Sequence, residues 1–551
     1  MIKKRLENLY PGQNVYKDLQ KILKRYKEVL AHRQNTNPLT SADSMLITYP
    51  DQISGEQGSP LRCQHEFLKL WVGKRIPLVH ILPFYTFTSD DGFSVVDYLE
   101  VHPDYGDWTD IRGFSKDYGL MFDAVFNHVS SHSKWVTGYL SGDPNYDDFC
   151  ISVDPQTDLS GVIRPRALPL LTLFNSFNGP KHLWTTFSED QVDVNIKNPK
   201  VLLSLIETLL FYVSQGARLI RLDAIAFLWK EIGTNCMHLQ QTHEVVKLFR
   251  DCLNQVAPDT LIITETNVPH EENISYFGEN GDEAQLVYQF PLPPLTAHAI
   301  LNNSSFALQL WASGLELPNK LCTFFNTMAS HDGIGVRGAE GILSPLDISF
   351  LGKACEERGG KVNYKNNLDG SQSPYELCIN FMDLISNPDD EDDLRARKML
   401  LAQSVLLCMP GLPGIYFHSL FGSRNDHAGV ETTGANRSIN REKLTQVRLE
   451  KELKNGLRPL VFQPYMDMLE IRANQLAFDP YGDFEFPVTD ESIFCILRSS
   501  GGQKLACIHN FSDSVYDANR LLETIGFDPN SGLLRNRGAI LNPFDFEWFE
   551  D

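Results

Sequence analysis

Gly216-Ala-Arg-Leu-Ile-Arg-Leu-Asp-Ala224 and, further on, Leu261-Ile-Ile-Thr-Glu265 each carry a short apolar run into a carboxylate. A strand buried on both faces reads as a continuous apolar stretch, and in a parallel barrel its C-terminal end opens on the face where chemistry happens. Asp223 and Glu265 therefore read as residues at the mouth of such a barrel. Two acids facing one pocket are what cleavage of a glycosidic bond requires.

Runs of the same kind recur at 45–49, 77–84, 120–126, 217–222, 261–264, 286–290, 323–328 and 414–418, eight in all. Polar groups follow them: Asp51 after the first, Asn127 and His128 after the third, His331 and Asp332 after the seventh. Any one of these alone fits a cap or turn residue. Their recurrence at one end of one sheet does not. Segments 200–214 and 242–256 carry apolar residues on a helical face, and strand alternating with helix points to βαβ units.

The fold expected is α/β, a (β/α)8 TIM barrel with inserted lobes after strands 3 and 7 and a small C-terminal antiparallel β domain. The barrel takes 1–129, 191–332 and 392–464. One lobe takes 130–190, which is rich in Pro, Gly and Asp and too long for a simple loop, and a second takes 333–391. Short alternating stretches beyond about Tyr465 give the last domain, 465–551.

Lys and Arg number 49 against 70 Asp and Glu, a formal charge of −21. Such a surface repels nucleic acid and anionic membrane, so neither is an expected partner. The first residues are basic with no apolar segment behind them, and no stretch is apolar enough to span a bilayer. Ten cysteines are scattered singly, several inside apolar runs, and read as reduced core residues of a cytoplasmic protein. No metal-ligand cluster or nucleotide motif is present, so neither metal nor cofactor is expected.

Asp123-Ala-Val-Phe-Asn-His128, Gln191-Val-Asp-Val-Asn195, Arg221-Leu-Asp-Ala224, Thr264-Glu265-Thr-Asn and Ser330-His-Asp332 resemble, in order and spacing, the signature motifs of the α-amylase superfamily, glycoside hydrolase family 13. The likeness runs from about Met45 to the end. His331-Asp-Gly-Ile-Gly335, Ile163-Arg-Pro-Arg-Ala-Leu-Pro169 and Arg437-Ser-Ile-Asn-Arg441 resemble the sucrose phosphorylase subfamily. Ser152-Val-Asp-Pro-Gln-Thr-Asp-Leu-Ser160, His182-Leu-Trp-Thr-Thr-Phe187 and Ile263-Thr-Glu-Thr-Asn-Val-Pro-His270 are most similar to its glucosylglycerate phosphorylase branch.

The resemblance implies Asp223 as nucleophile, Glu265 as acid and base, and Asp332 as holder of two sugar hydroxyls. Asp51, Arg221, His331, Arg437 and Tyr98 map to further sugar-binding positions, although Tyr98 stands where sucrose phosphorylases have a His. Arg221, two residues from Asp223 on the same strand face, is expected to favour the ionised form of its neighbour, while Glu265 has to stay protonated. A phosphorylase must also admit a phosphate dianion, for which Arg166 and Tyr375 match family positions, with Arg164 and Glu376 beside them. Arg164 reads equally as a surface loop residue. Phe187 and Phe227 match positions that shape the acceptor site, or pack as core. Arg337 is the candidate for an acceptor carboxylate, with Glu340 as its other available partner. The expected activity is transfer of glucose from 2-O-α-glucosylglycerate to inorganic phosphate by a monomer or homodimer. Glucosylglycerol, sucrose and sucrose 6'-phosphate phosphorylases, a retaining hydrolase and a non-catalytic sugar-binding barrel stand as alternatives.

Overall fold

The computed structural model describes residues 1–33, 36–56, 58–165, 168–366, 371–534 and 538–551. Eight parallel strands close on themselves: β1 (Met45–Thr48), β2 (Leu78–Ile81), β3 (Gly119–Ala124), β4 (Ala217–Leu222), β5 (Leu261–Thr264), β6 (Leu286–Tyr288), β7 (Thr323–Thr327) and β8 (Leu412–Tyr416). Met45 pairs with Leu78 on one side and Gly414 on the other, which completes the ring. Nearly every strand residue is buried, since the barrel interior covers one face and helices the other. Each apolar run expected to be a strand is one.

The last of them is displaced. β8 ends at Tyr416, and 417–420 turn into a short helix. The strand begins instead at Leu412-Pro413-Gly414, a sequence that reads as a turn. Gly414 is needed there, because a Cβ would stand 2.5 Å from Cζ of Phe325 on the neighbouring strand.

Helix Pro199–Ser214 starts where Asn198 accepts from Lys200 N at 3.0 Å with Pro199 in the first turn, a pairing that fixes helix starts. Between β3 and β4 lie helix Lys134–Ser141 and the hairpin Leu171–Ser176 with Gly179–Trp184. Between β7 and β8 lie helix Pro345–Glu357 and a three-stranded sheet of Ile334–Gly335, Lys361–Asn366 and Gln372–Cys378. The strands near the C-terminus begin at Asp483 and not near Tyr465. Residue 465 falls inside helix Leu457–Ala473, which accommodates Pro464.

The ten cysteines are buried, and none is in a disulfide. Among the described residues, no helix is long and apolar enough to cross a membrane.

Arg498, on strand Ile493–Ser500, fastens the C-terminal sheet to the barrel, and Arg472, on helix Leu457–Ala473, fastens that helix to the barrel floor. Helix Asp392–Cys408 ends with unsatisfied carbonyls. Arg498 donates to Cys408 O at 2.9 Å, Met409 O at 3.0 Å and Asp479 O at 2.7 Å. Arg472 donates to Leu407 O at 3.0 Å and reaches Ser41 O and Asp43 O at the barrel floor. Burial lowers both, to about 10 and about 9, so both stay charged at neutral pH. Replacing Arg498 by Met strands several buried carbonyls. We expect a loss of about 3 kcal/mol in unfolding free energy, read as a fall in the urea midpoint; an unchanged midpoint would contradict this role.

Candidate active site

The C-terminal ends of the strands open on a cavity of about 660 Å³. Arg221 lies at its floor, fully buried at the end of β4. Its guanidinium donates to Asp123 Oδ1 at 2.5 Å, Asp223 Oδ1 at 2.8 Å and the Tyr288 hydroxyl at 3.0 Å, and Nη2 stands 3.9 Å from Glu265 Oε2. One positive charge thus serves three carboxylates.

The three respond differently. Burial opposes charge on Asp123, but His80, 2.6 Å away, and Arg221 outweigh it and hold that carboxyl at about 2. Burial dominates at Asp223 and, against the pull of Arg221, pushes it up to about 8, with Glu265 and Asp123 adding repulsion. Burial raises Glu265 as well, and Asp332 adds to it. Arg221 does favour the ionised form of Asp223, as expected, but burial outweighs it because the one guanidinium also faces Asp123 and Glu265. Asp223 and Glu265 cannot both ionise easily, and Asp223 holds the direct bond to Arg221. When one proton remains between them, it belongs on Glu265.

The residue after Asp223 carries local strain. Ala224 has φ +47°, unusual for a residue with a Cβ, and its N–H donates to Glu265 Oε2 at 3.1 Å. The turn that presents one acid thereby orients the other.

Asp332 lies five residues beyond β7, where Arg437 Nη1 meets Oδ1 at 2.6 Å. Burial opposes the charge, yet Arg437 and His331 hold Asp332 well below the usual carboxylate range. Arg437 also pairs with Glu376 at 2.7 Å, and Glu376 accepts from Gly333 N at 3.0 Å and Asn363 Nδ2 at 2.8 Å. His331 stacks on Phe93 at 4.8 Å, and burial lowers it to about 3, so it stays neutral.

Asp223, Glu265, Asp332, Arg221, His331, Arg437, Phe187, Tyr375 and Glu376 all border this one cavity. Burial raises the Tyr375 hydroxyl to about 12. Other expected residues do not line it. The Tyr98 hydroxyl faces inward and donates to Val125 O at 2.6 Å, so its proton is not offered to a ligand. Asp51 pairs with Lys443 at 2.5 Å outside the lining. Phe227 stands edge-on behind Phe187 at 5.6 Å. Arg164 is exposed and donates to Leu168 O at 3.2 Å. Arg166 lies outside the described residues, while Pro165 and Leu168 line the cavity. Arg337 is half-buried beside the lining; its charge acts on Tyr375 and His238, and Glu340 pairs with Lys365 instead.

Several lining residues escaped the sequence reading: Asp90, Asp91, Phe93, Gln191 and Asn267. Asn267 sits inside the quoted run 263–270, and its Oδ1 is buried without a partner. Asp90, Asp91 and Gly92 take φ of +53°, +48° and +105° in succession. A Cβ on Gly92 would stand 2.5 Å from Pro83 O, so that position requires glycine. Asp-Asp-Gly is the visible signal, but it reads as an ordinary turn.

Comparison with known proteins agrees with this geometry. The alpha-amylase catalytic domain matches residues 75–328. The glucosylglycerate phosphorylase of Spirochaeta thermophila is 50% identical over 479 residues, covering 86% of this chain and 81% of the relative. That of Allomeiothermus silvanus is 48% identical over 513 residues, covering 92% and 91%. The crystal structure of sucrose 6F-phosphate phosphorylase from Thermoanaerobacter thermosaccharolyticum superposes with a TM-score of 0.75 at 22% identity, over 86% of this chain and 95% of that one, a likeness of fold.

The strained turn is held from outside the cavity by Asp190, which accepts from Thr88 at 2.6 Å, Ser89 at 2.5 Å, Ser94 at 2.7 Å and Ser131 at 2.6 Å. Burial disfavours its charge, but these hydroxyls win and hold Asp190 at about 2. A lowered carboxyl stabilises the fold above its unfolded pKa, and that support is lost as pH falls toward about 2. We expect Asp190→Ala to speed exchange of the Ser89–Ser94 backbone amides roughly tenfold or more at neutral pH; hydrogen exchange unchanged there would refute the tether.

Proposed function

The chain belongs to the α-amylase superfamily, glycoside hydrolase family 13, and we propose that it is a retaining α-glucoside phosphorylase that moves glucose from 2-O-α-glucosylglycerate to inorganic phosphate. The carrying observation is the pair Asp223 and Glu265 bordering one guanidinium, both carboxyls raised by burial. Retaining glycosidases need two close carboxyls in opposite protonation states.

In the first step Asp223 attacks the anomeric carbon while Glu265 protonates the departing glycerate oxygen, leaving a β-glucosyl ester. Proton transfer leaves a charge on Glu265 as ester formation removes the one on Asp223, so the total charge around Arg221 is unchanged through this step. Phosphate then attacks the ester from the opposite face, Glu265 takes up any proton it sheds, and α-glucose 1-phosphate leaves with its configuration kept. Asp332, fixed by Arg437, is suited to accept from sugar hydroxyls, and His331, held neutral, has an unpartnered buried Nδ1 beside them.

Phosphate and glycerate both bring negative charge to an acidic site. Arg221, Arg437 and Arg441, the described cations of the lining, already face carboxylates. The extra charge needs other cations. Arg166, flanked by the lining residues Pro165 and Leu168, supports the phosphate role, since an Arg fork suits phosphate oxygens. Arg337, whose neighbour Glu340 is taken by Lys365, supports the carboxylate role.

Two tests follow. Incubation with α-glucose 1-phosphate and glycerate, glycerol, fructose or fructose 6-phosphate should release phosphate fastest with glycerate, and Arg337→Ala should raise KM for glycerate about tenfold, the equivalent of ~1.4 kcal/mol. In the forward direction glucosylglycerate should yield glucose 1-phosphate only when phosphate is present; free glucose as the sole product would make the protein a hydrolase.

Glu265→Gln should slow phosphorolysis of glucosylglycerate by about 10²–10⁴ while sparing α-glucosyl fluoride, whose leaving group needs no proton. Because both acids are raised, the acid limb of kcat/KM should lie well above the ordinary carboxyl value of about 4. A limb near pH 4, or equal loss on both donors, would assign the proton elsewhere.

A further inference from the structure

A second cavity, of about 200 Å³, takes no part in the chemistry above. It lies where the end of helix Pro345–Glu357, the stretch 383–388, the start of helix Asp392–Cys408 and residues 424–427 meet. Its lining contains Arg358, Arg395, Arg424 and His427 against one carboxylate, Asp383. That carboxylate is committed, accepting from Arg424 Nε and from Asn425 N at 2.6 Å.

The other two guanidiniums are held by neutral oxygens. Arg358 donates to Ser386 O at 3.0 Å, Ala354 O at 3.2 Å and Asn387 Oδ1 at 2.8 Å. Arg395, 5% exposed, donates to Asp390 O at 2.8 Å and Pro388 O at 2.5 Å. The nearby Asp390 carboxylate takes Lys398 at 2.6 Å. Glu357 and Asp390 lie within electrostatic reach of Arg358, and neither bonds to its side chain.

In a chain of net charge −21, these two guanidiniums make no hydrogen bond or ion pair to a carboxylate among the described residues, and Asp390, within electrostatic reach of both, has its own bond to Lys398. Each guanidinium has five N–H donors, so both retain donors beyond those bonds. A second observation points the same way. Ser386, 1% exposed, lines this cavity, and its hydroxyl has no hydrogen-bond partner.

We propose that this cavity binds a phosphate-class dianion, either inorganic phosphate or a small phosphate monoester, between Arg358, Arg395, Arg424 and the Ser386 hydroxyl. A carboxylate has two oxygens in one plane and satisfies one fork; a tetrahedral oxyanion can meet donors converging from several directions. The size suits a phosphate and little more, since pockets for larger ligands run to about 300–1,000 Å³. Arg424 and His427 belong to the segment that continues to Arg437 and Arg441 of the active site, and Arg358 to the inserted lobe. A bound anion ties the two together. The site stands independently of the proposed reaction.

Equilibrium dialysis of the full chain with labelled inorganic phosphate tests it. We expect the Arg358→Gln, Arg424→Gln double variant to bind one phosphate fewer per chain than the wild type, whatever the active site itself retains. The same count in both overturns the proposal. Melting without phosphate checks that the double variant is folded; if it is not, Arg424→Gln alone, a side chain 45% exposed, should still weaken phosphate binding at this site at least tenfold, and unchanged binding overturns the proposal equally. Repeating the dialysis with a phosphate monoester separates the two sources: the tighter binder names the ligand, and binding of neither overturns the proposal.

Discussion

The site depends on one guanidinium that cannot neutralise everything around it. Arg221 is buried against Asp123, Asp223 and Glu265, with Asp332 a short distance away. If each acid had its own cation, all would be ionised and inert as proton donors. If none had, burial would protonate them all. His80 and Arg437 settle the outer two, Asp123 and Asp332, in the charged form. The inner pair is left to divide what remains, and acid and nucleophile become distinct within that pair.

Such a balance tolerates little movement, and the surrounding structure limits it. The strained turn at 90–92 is gripped by four hydroxyl-to-carboxylate bonds at Asp190, a residue outside the cavity. Below, Arg472 binds helix Leu457–Ala473 to the barrel floor, and Arg498 binds the C-terminal sheet to the end of helix Asp392–Cys408, both through carbonyls and not through acids. Carbonyl partners hold a guanidinium in place and leave its charge uncancelled. The same device recurs at Arg358 and Arg395.

The barrel was legible because burial on both faces leaves a plain trace, an apolar run with a polar end. β8 read two residues late because Pro413 and Gly414 mimic a turn. Among the residues singled out, those at strand ends or in ordered motifs, Asp223, Glu265, Asp332 and Arg437, border the cavity. Those that failed did so for reasons of direction. Nothing in Phe93-Ser-Val-Val-Asp-Tyr98 says that Tyr98 points inward to Val125 O while Phe93 lies on His331. The shift of Asp223 was not legible either, since it depends on how many acids share Arg221, a property of the folded ring and not of any segment.

Glu376 has a consequence for how this fold diversifies. It sits on a strand of the second inserted lobe, yet its two oxygens bind Arg437, Gly333 N and Asn363. The lobe is thus bolted to Arg437, the residue proposed to fix Asp332 against the transferred ring. Exchanging that lobe for a relative's, as an engineer or a recombination event would do to change the second substrate, also unseats Arg437 unless an acid arrives at the same spot. On the proposed roles, selectivity for the two halves of the substrate is inherited as one linked trait.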